Sequence, residues 1–225
     1  MKTVALIQAR MGSTRLPCKM MLQLAGFPLV DWVARRTQAA TLVDQVVLAT
    51  SVSPENDILE NHLAPQGFPV FRGSENDVLD RFYNAAKACD ATHVVRVCGD
   101  NPLIWGGAID ELVRFYHKTG CGYAYNHIPR DNAWPDGLGA EMLSFALLER
   151  IAREATSPAH REHCFSYIWD NPELFSRATF DPADPRIARP HVRLDIDTAA
   201  DYVKLASMPL RLDISPLEIL AFYPE

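Results

Sequence analysis

The chain has 225 residues and a formal net charge of −6, with 22 Lys and Arg against 28 Asp and Glu. This length suits a single α/β domain, the acidic balance argues against a protein held to nucleic acid by charge, and no apolar run is long enough to span a membrane. Five cysteines, with no C-x-x-C pair among them, argue against a disulfide scaffold and predict reduced thiols in a cytoplasmic protein.

Strands and helices alternate through the first hundred residues. Short apolar runs predict four buried strands, at residues 3–9, 45–50, 68–71 and 93–98. Apolar residues at helical spacing predict helices between them, at 28–40, from Ser53-Pro54 onward with Ser53 as N-cap, and at 76–91. Strands that alternate with helices indicate a parallel sheet covered on both faces.

The pattern loosens after Asp100. A helix is predicted at 109–117 and a strand at 122–125, followed by a long loop at 126–142 that contains two prolines and two glycines. Two helices follow near 144–155 and 158–169, then a last strand at 191–195 and a helix at 198–207. Residues 215–218 form a capping box that begins a terminal helix. The apolar residues 217–223 leave open whether this helix packs on its own core or against a second subunit, as in a homodimer.

A loop directly after the first predicted strand concentrates positive charge. The first acid of the chain is Asp31, and the only formal side-chain charges before it are Lys2, Arg10, Arg15 and Lys19. Ligands of open α/β sheets bind at the carboxyl ends of the strands, and backbone N–H groups together with Arg and Lys suit a polyanion. The loop therefore predicts a phosphate site, with a solvated basic loop as the alternative. It matches neither the Walker A nor the G-x-G-x-x-G pattern.

Two carboxylates are candidates for holding a hard cation. Asp100 follows the fourth predicted strand next to Gly99, and Asp197 lies between the last predicted strand and a helix. Phosphoryl-transfer sites hold Mg²⁺ with one or two carboxylates together with phosphate oxygens. A turn residue at Asp100 and a simple helix N-cap at Asp197 are the alternatives. Together with the cationic loop, the two carboxylates form one hypothesis, a metal-assisted phosphate site.

Four further charged residues are candidates for substrate contacts, each with a structural alternative. Asp77 and Arg81 lie at the start of the helix after the third strand, where they either contact base or ribose or form a cap and an i,i+4 ion pair. Asp136 and Glu141 lie in the long loop, where they either hydrogen-bond sugar hydroxyls or shape a turn.

A fifth candidate lies in the segment His160-Arg161-Glu162-His163. Arg161 falls in the first turns of a predicted helix, where it either faces an anion or forms a surface ion pair. The two histidines have no evident third ligand, so a zinc site is a weaker interpretation.

Taken in order, these motifs resemble a known family. Residues 8–19, Gln-Ala-Arg-Met-Gly-Ser-Thr-Arg-Leu-Pro-x-Lys, resemble the N-terminal signature of the cytidylyltransferases that make CMP-sialic acid and CMP-KDO. The later motifs are similar to those of their relatives, the spore-coat polysaccharide biosynthesis protein F-like proteins, and the similarity covers residues 3–205. These later motifs begin at Asp77, Arg96, Pro135, Arg161 and Asp197.

The resemblance implies a three-layer α/β/α nucleotide-diphospho-sugar transferase fold, Rossmann-like with a mostly parallel central sheet, in a single nucleotidyltransferase domain over residues 1–225. It implies a Mg²⁺-dependent enzyme that transfers CMP from CTP to a sugar acid or a related acid or phosphate acceptor in polysaccharide biosynthesis. By the same resemblance, Arg10, Lys19 and Asp100 act in catalysis, and Asp100 and Asp197 hold Mg²⁺. Substrate contacts are expected from Ala9, Arg10, Gly12, Ser13, Arg15, Lys19, Asp77, Arg81, Arg96, Asp136, Glu141 and Arg161.

Two other functions stay open. Asp195-Ile196-Asp197 is formally a D-x-D, which is typical of GT-A-type glycosyltransferases that use a nucleotide sugar, but it lies near the C-terminus rather than in the middle of the domain. A non-catalytic nucleotide-binding domain of the same fold is the third possibility. The chain departs from the family at Cys18, where the sugar-acid synthetases usually have Gly, and at Gly139-Ala140-Glu141 in the presumed acceptor loop. The second departure leaves the acceptor undetermined.

Overall fold

The computed structural model describes residues 1–224. Its strands are β1 Thr3–Gln8, β2 Gln23–Leu24, β3 Phe27–Pro28, β4 Gln45–Ser51, β5 Val70–Gly73, β6 His93–Cys98, β7 Tyr123–Tyr125, β8 Glu141–Ser144 and β9 Arg177–Ala178. Its helices are α1 Leu29–Gln38, α2 Asp57–Leu63, α3 Val78–Ala88, α4 Gly106–Thr119, α5 Phe145–Glu154, α6 Pro158–Glu162, α7 Ser166–Asp170, α8 Ala199–Ala206 and α9 Pro216–Leu220.

Seven strands form one sheet in the order β5-β4-β1-β6-β8-β7-β9. The pairs β5–β4, β4–β1, β1–β6 and β7–β9 are parallel, and β8 runs antiparallel to both of its neighbours. One strand of the seven is therefore reversed, so the carboxyl ends of β1, β4, β5 and β6 meet at the same edge. A small hairpin of β2 and β3 lies outside this sheet.

Helices cover both faces of the sheet. Side chains alternate along each strand, so every buried strand contributes to a core on each face. Ala5 and Ile7 of β1 pack into one core with residues of α1 and α4, whereas Val4 and Leu6 pack into a second core with residues of α3 and α5. A strand buried on both sides is apolar throughout, which is why the sequence of β1 is a continuous apolar run. The predicted three-layer α/β/α arrangement with a mostly parallel sheet is confirmed.

Several predicted elements differ from the structure. The third strand begins two residues later than expected, at Val70, and Ser53 precedes a short 3₁₀ turn, without a side-chain cap, before α2 begins. The helix expected at 158–169 is two short helices, α6 and α7. The capping box at Ser215 is confirmed, and a second one joins Thr198 to Asp201 at the start of α8.

Two predictions about strands are wrong. The long loop predicted at 126–142 ends earlier, because Glu141 begins β8. The strand predicted at 191–195 is absent among the described residues: that segment makes only an isolated bridge between Asp136 and Arg193. Val192 and Leu194 are buried, whereas His191 and Arg193 are exposed. The segment therefore has the alternating side chains of a strand but lacks the continuous backbone hydrogen bonds that pair a strand with its neighbour.

In the described part of the chain, no helix combines the length and apolar character needed to cross a membrane.

Cys18 takes a left-handed backbone conformation, with φ of 56°, immediately before a 3₁₀ turn at Lys19–Met21. Such a conformation costs a residue with a Cβ roughly 1 kcal/mol, and Gly adopts it freely. Gly would therefore suit this position better than Cys.

We expect Cys18→Gly to raise the free energy of unfolding by about 0.5 kcal/mol, because relief of the backbone strain outweighs the added freedom of the unfolded chain. Urea denaturation measures this change. Cys18→Ser retains a Cβ and is the matched control, for which no gain is expected. A destabilised Cys18→Gly variant would contradict the strain assignment.

Candidate active site

A cleft of about 360 Å³ opens at the carboxyl edge of β1 and β6. The loop after β1 forms one side of it, the turn after β6 forms the floor, and the segment before α8 closes the other side. Of the predicted site residues, the cleft brings together Ala9, Arg10, Gly12, Ser13, Arg15, Lys19, Arg96, Asp100 and Asp197. Gln8, Thr14, Met20, Cys98, Gly99 and His163 complete the lining.

Lys19 lies between the two predicted metal ligands. Its Nζ is 3.7 Å from an Asp100 carboxylate oxygen and 3.8 Å from an Asp197 carboxylate oxygen, and it donates a hydrogen bond of 2.8 Å to the Ile196 carbonyl. Only 11 % of the Lys19 side chain is exposed. Burial raises the pKa of Asp100, with Lys19 opposing that effect and Asp197 adding to it.

Two arginines approach Asp197 from the solvent side. Arg15 donates a hydrogen bond of 3.1 Å to the Asp197 carboxylate, and Arg193 lies 3.9 Å from it while forming a closer pair of 2.6 Å with Asp195. Both arginine side chains are more than 60 % exposed, so their ion pairs are screened by water and contribute little to stability. They are free to turn toward another anion.

Arg10 is held in the cleft by residues that the sequence did not single out. Its Nη1 contacts Glu75 at 3.0 Å, and Glu75 also accepts a hydrogen bond from Ser51 at the end of β4. Asn56 accepts a 2.8 Å hydrogen bond from the Met11 backbone N–H. Burial opposes the charge on Glu75, but Ser51 and Arg10 hold its pKa below the ordinary value. The sequence feature that could have indicated Glu75 as a site residue is its position just after β5, at the edge of the sheet where ligands bind.

Gly99 allows the turn after β6 to lie against the end of β1. A Cβ at this position would lie 2.5 Å from the Gln8 carbonyl oxygen, which is closer than real Cβ atoms approach. The Gly99 N–H donates a hydrogen bond of 2.9 Å to that same carbonyl. Asp100 is thereby fixed next to the loop after β1.

Arg96 lies at the edge of the cleft within a buried charged network. Its Nη1 donates to the Glu141 carboxylate, which also accepts a hydrogen bond from the Tyr123 hydroxyl, and its Nε donates to Gln8 at 2.9 Å. Glu141 is 2 % exposed and therefore does not reach the cleft as a free carboxylate. Burial disfavours the charged form of Glu141, yet Arg96 and His127 hold its pKa below the ordinary value.

The structure does not bring Asp77, Arg81 or Arg161 into the cleft. Asp77 caps α3 through a 2.8 Å hydrogen bond from the Asp80 N–H and pairs with Arg161 at 2.6 Å, so both follow their structural alternatives. The alternative offered for Arg81, an ion pair with Asp77, is wrong: Arg81 is buried and donates to the Ser74 carbonyl instead. Together these contacts fasten α6 and the turn after β5 to α3.

Asp136 lies behind Asp195 and Arg193 rather than in the lining of the cleft. Its backbone bridges to residues 192–194, and its carboxylate is 3.8 Å from Arg193. Burial, together with the charge of Asp195, raises its pKa to about 6. Because the folded state binds this proton more tightly than the unfolded state, stability falls as the pH rises from about 4 to 6.

We therefore expect Asp136→Asn to stabilise the protein by about 1–2 kcal/mol at pH 7.5, and this gain should disappear below about pH 4. Thermal or urea denaturation over this pH range measures the effect. Asp90→Asn, at an exposed position, is the matched control and is expected to change little. A gain that does not depend on pH would show that the charge of Asp136 is not its source.

The donor set fits a divalent cation of the Mg²⁺ type. Asp100 and Asp197 both lie within 4 Å of the Lys19 ammonium group, so their carboxylates border the same small space. Carboxylate oxygens are the ligands that Mg²⁺ prefers. Within residues 1–224, no group of three or more Asp, Glu, His or Cys side chains could hold a metal ion. A cation here would therefore need further ligands from water or from a bound molecule.

A second cavity, of about 200 Å³, adjoins the first. The two share Gln8, Arg96 and His163, and the second is otherwise lined by His127, Glu141, Glu162, Phe165, Ser166 and Trp169. Burial lowers the pKa of His127, with the neighbouring Glu141 opposing that effect and Arg96 adding to it. Arg96 is already neutralised by Glu141, and the aromatic side chains give the cavity an apolar wall.

Comparison with known proteins shows the family to which this chain belongs. A family model described as cytidylyltransferase matches residues 4–214. The chain is 37 % identical over 224 residues to the spore coat polysaccharide biosynthesis protein SpsF of Bacillus subtilis, a match that covers 96 % of this chain and 91 % of that protein.

Solved structures give the same result. A cytidylyltransferase from Leptospira borgpetersenii superposes with a TM-score of 0.87 at 32 % identity, covering 99 % of this chain and 93 % of the other. A CMP:2-keto-3-deoxy-manno-octonic acid synthetase in complex with CTP has a TM-score of 0.70 at 18 % identity, covering 92 % and 98 %, and shares the fold. The predicted Rossmann-like nucleotidyltransferase fold is thereby confirmed. The chain belongs to the cytidylyltransferase family of nucleotidyltransferases.

Proposed function

We propose that this enzyme transfers CMP from CTP to a sugar acid, or to a related acid or phosphate acceptor, and releases pyrophosphate in the biosynthesis of a surface polysaccharide. The observation that carries this proposal is the cleft itself, where Arg10, Arg15 and Lys19 face Asp100 and Asp197. Cations on one side and a carboxylate pair on the other suit a triphosphate bound together with a divalent cation.

The reaction is a displacement at phosphorus. An acceptor oxygen attacks the α-phosphorus and forms a new P–O bond, while the bond from the α-phosphorus to the oxygen that bridges it to the β-phosphorus breaks and pyrophosphate leaves. A hydroxyl acceptor loses its proton to water, and a carboxylate or phosphate acceptor has none to lose. Asp100 and Asp197 are the residues that would hold a divalent cation, which would supply Lewis-acid stabilisation of the phosphate oxygens. Arg10, Arg15 and Lys19 bind the triphosphate and offset the charge that develops on the leaving group.

We place the acceptor in the second cavity. Gln8, Arg96 and His163 line both cavities, so an acceptor there would meet the α-phosphorus at their junction. His127 and Ser166 suit sugar hydroxyls, and Phe165 and Trp169 form the apolar wall of the cavity. The remaining candidate contacts, Ala9, Gly12 and Ser13, lie in the loop that faces the triphosphate.

Pyrophosphate release with each of the four nucleoside triphosphates, Mg²⁺ and a panel of sugar acids and sugar phosphates tests the proposal. We expect release with CTP, only when both an acceptor and Mg²⁺ are present. Thermal stabilisation by CTP without turnover of any acceptor would indicate a non-catalytic binding domain. Turnover of a nucleotide sugar without pyrophosphate would replace the proposal with a glycosyltransferase.

A further inference from the structure

The two carboxylates of the cleft are already paired with cationic side chains. Lys19 Nζ lies nearly equidistant from Asp100 and Asp197, at 3.7 and 3.8 Å, and Arg15 reaches Asp197 from outside at 3.1 Å. A divalent cation that approaches the protein without nucleotide therefore meets two carboxylates that are already paired with cationic side chains.

Lys19 is also held firmly in this place. Its ammonium group donates to the Ile196 carbonyl at 2.8 Å, and the Ile196 N–H in turn donates to the Asp100 carbonyl at 2.8 Å. Its side chain is only 11 % exposed, whereas that of Arg15 is 66 % exposed. Water screens the Arg15 pair more strongly, so Lys19 is the more effective of the two cations in opposing a metal ion.

We infer that Lys19 is an exchangeable counter-ion: it holds Asp100 and Asp197 in the nucleotide-free protein and releases them to a divalent cation when a triphosphate draws its ammonium group away. This inference rests on the proposed function, because it takes the triphosphate as the ligand that moves Lys19. The metal and the nucleotide then bind with positive coupling, since each lowers the cost of binding the other.

Mn²⁺ binding to the complete protein without nucleotide, followed by electron paramagnetic resonance, tests this role without measuring activity. Lys19→Gln keeps a hydrogen-bond donor but removes the charge, and we expect it to bind Mn²⁺ on the order of tenfold more tightly than wild type. Lys19→Arg keeps the charge and should bind as weakly as wild type. Arg15→Gln should give a smaller gain, because Arg15 is mostly exposed.

Two further variants locate the effect. Lys118→Gln, at an exposed position near the end of α4, should bind Mn²⁺ as wild type does. Lys19→Gln combined with Asp100→Asn should lose the gain, which assigns the bound Mn²⁺ to this carboxylate pair. Circular dichroism and thermal melting establish that each variant is folded, and Lys19→Met serves as a second uncharged variant if Lys19→Gln is not.

The inference is overturned if folded Lys19→Gln binds Mn²⁺ no more tightly than wild type, or if Lys19→Arg binds as tightly as Lys19→Gln. Thermal stabilisation of the wild type by CTP is measured in parallel. If Lys19→Gln gains Mn²⁺ affinity but CTP does not stabilise the wild type, the counter-ion role stands and the proposed nucleotide is wrong.

Discussion

Asp100→Asn is expected to lower the rate of pyrophosphate release from CTP by at least about 10³-fold at saturating CTP and Mg²⁺. An amide occupies the same space as the carboxylate but cannot supply the negative charge with which, in the proposed function, Asp100 would hold a cation against the phosphate oxygens. The fold should remain intact, because burial raises the pKa of Asp100 and so already disfavours its charged form. Steady-state rates measured with thermal melting separate the two effects.

The matched control for this experiment is Asp131→Asn. Asp131 is exposed and has a positive φ, which Asn tolerates as well as Asp, so its rate should equal that of wild type. A decrease of less than tenfold for a folded Asp100→Asn variant would remove Asp100 from the metal site.

Glu141→Gln is expected to have the largest effect on stability, a loss of about 3–5 kcal/mol at pH 7, because Arg96 is left as a buried charge without its counter-ion. Glu141 is 2 % exposed and also accepts a hydrogen bond from Tyr123. Its pKa is lower in the folded state than in the unfolded state, so its contribution is complete above about pH 4.3 and is lost as the pH falls through the folded-state pKa. Urea denaturation at several pH values measures both features.

Tyr123→Phe removes one hydrogen bond to Glu141 but retains the ion pair, and a loss of about 1 kcal/mol is expected. Glu149→Gln, on the surface of α5, is the control for loss of a carboxylate at an unburied place. Equal stability of Glu141→Gln and wild type at pH 7 would mean that the network does not depend on charge.

The sequence predicts the first half of the sheet well, and the reason is physical. β1 is buried on both faces, so Val4 to Ile7 form a continuous apolar run that admits one interpretation, and β6 follows the same pattern except at Arg96 and at its first residue. β8 was missed because it follows a loop rich in Pro and Gly and begins with Glu141, a charge that makes sense only beside Arg96 on the neighbouring strand. Pairing between strands is a tertiary property, which no local pattern contains.

In the candidate site, too, some features follow from the local sequence and others only from the fold. The cationic loop and Asp100 follow from position alone, since ligands of such sheets lie where the strands end. The contact between Arg10 and Glu75 joins residues 65 positions apart, and that between Arg15 and Asp197 joins residues 182 positions apart. The order of the motifs indicates the protein family. Only the fold determines which of these residues come into contact, and it keeps Arg81 and Glu141 out of the cleft.

Asp197 belongs to a part of the chain that adds no strand to the sheet. All seven strands of the main sheet lie before residue 179, yet the segment that carries Asp197, and whose Ile196 carbonyl holds Lys19, comes afterwards. Val192, Leu194 and Ile196 of this segment pack into the same core as Ile7 of β1. The cleft is thus closed by two segments from opposite ends of the chain, and the shared core between them fixes the spacing of their charged side chains.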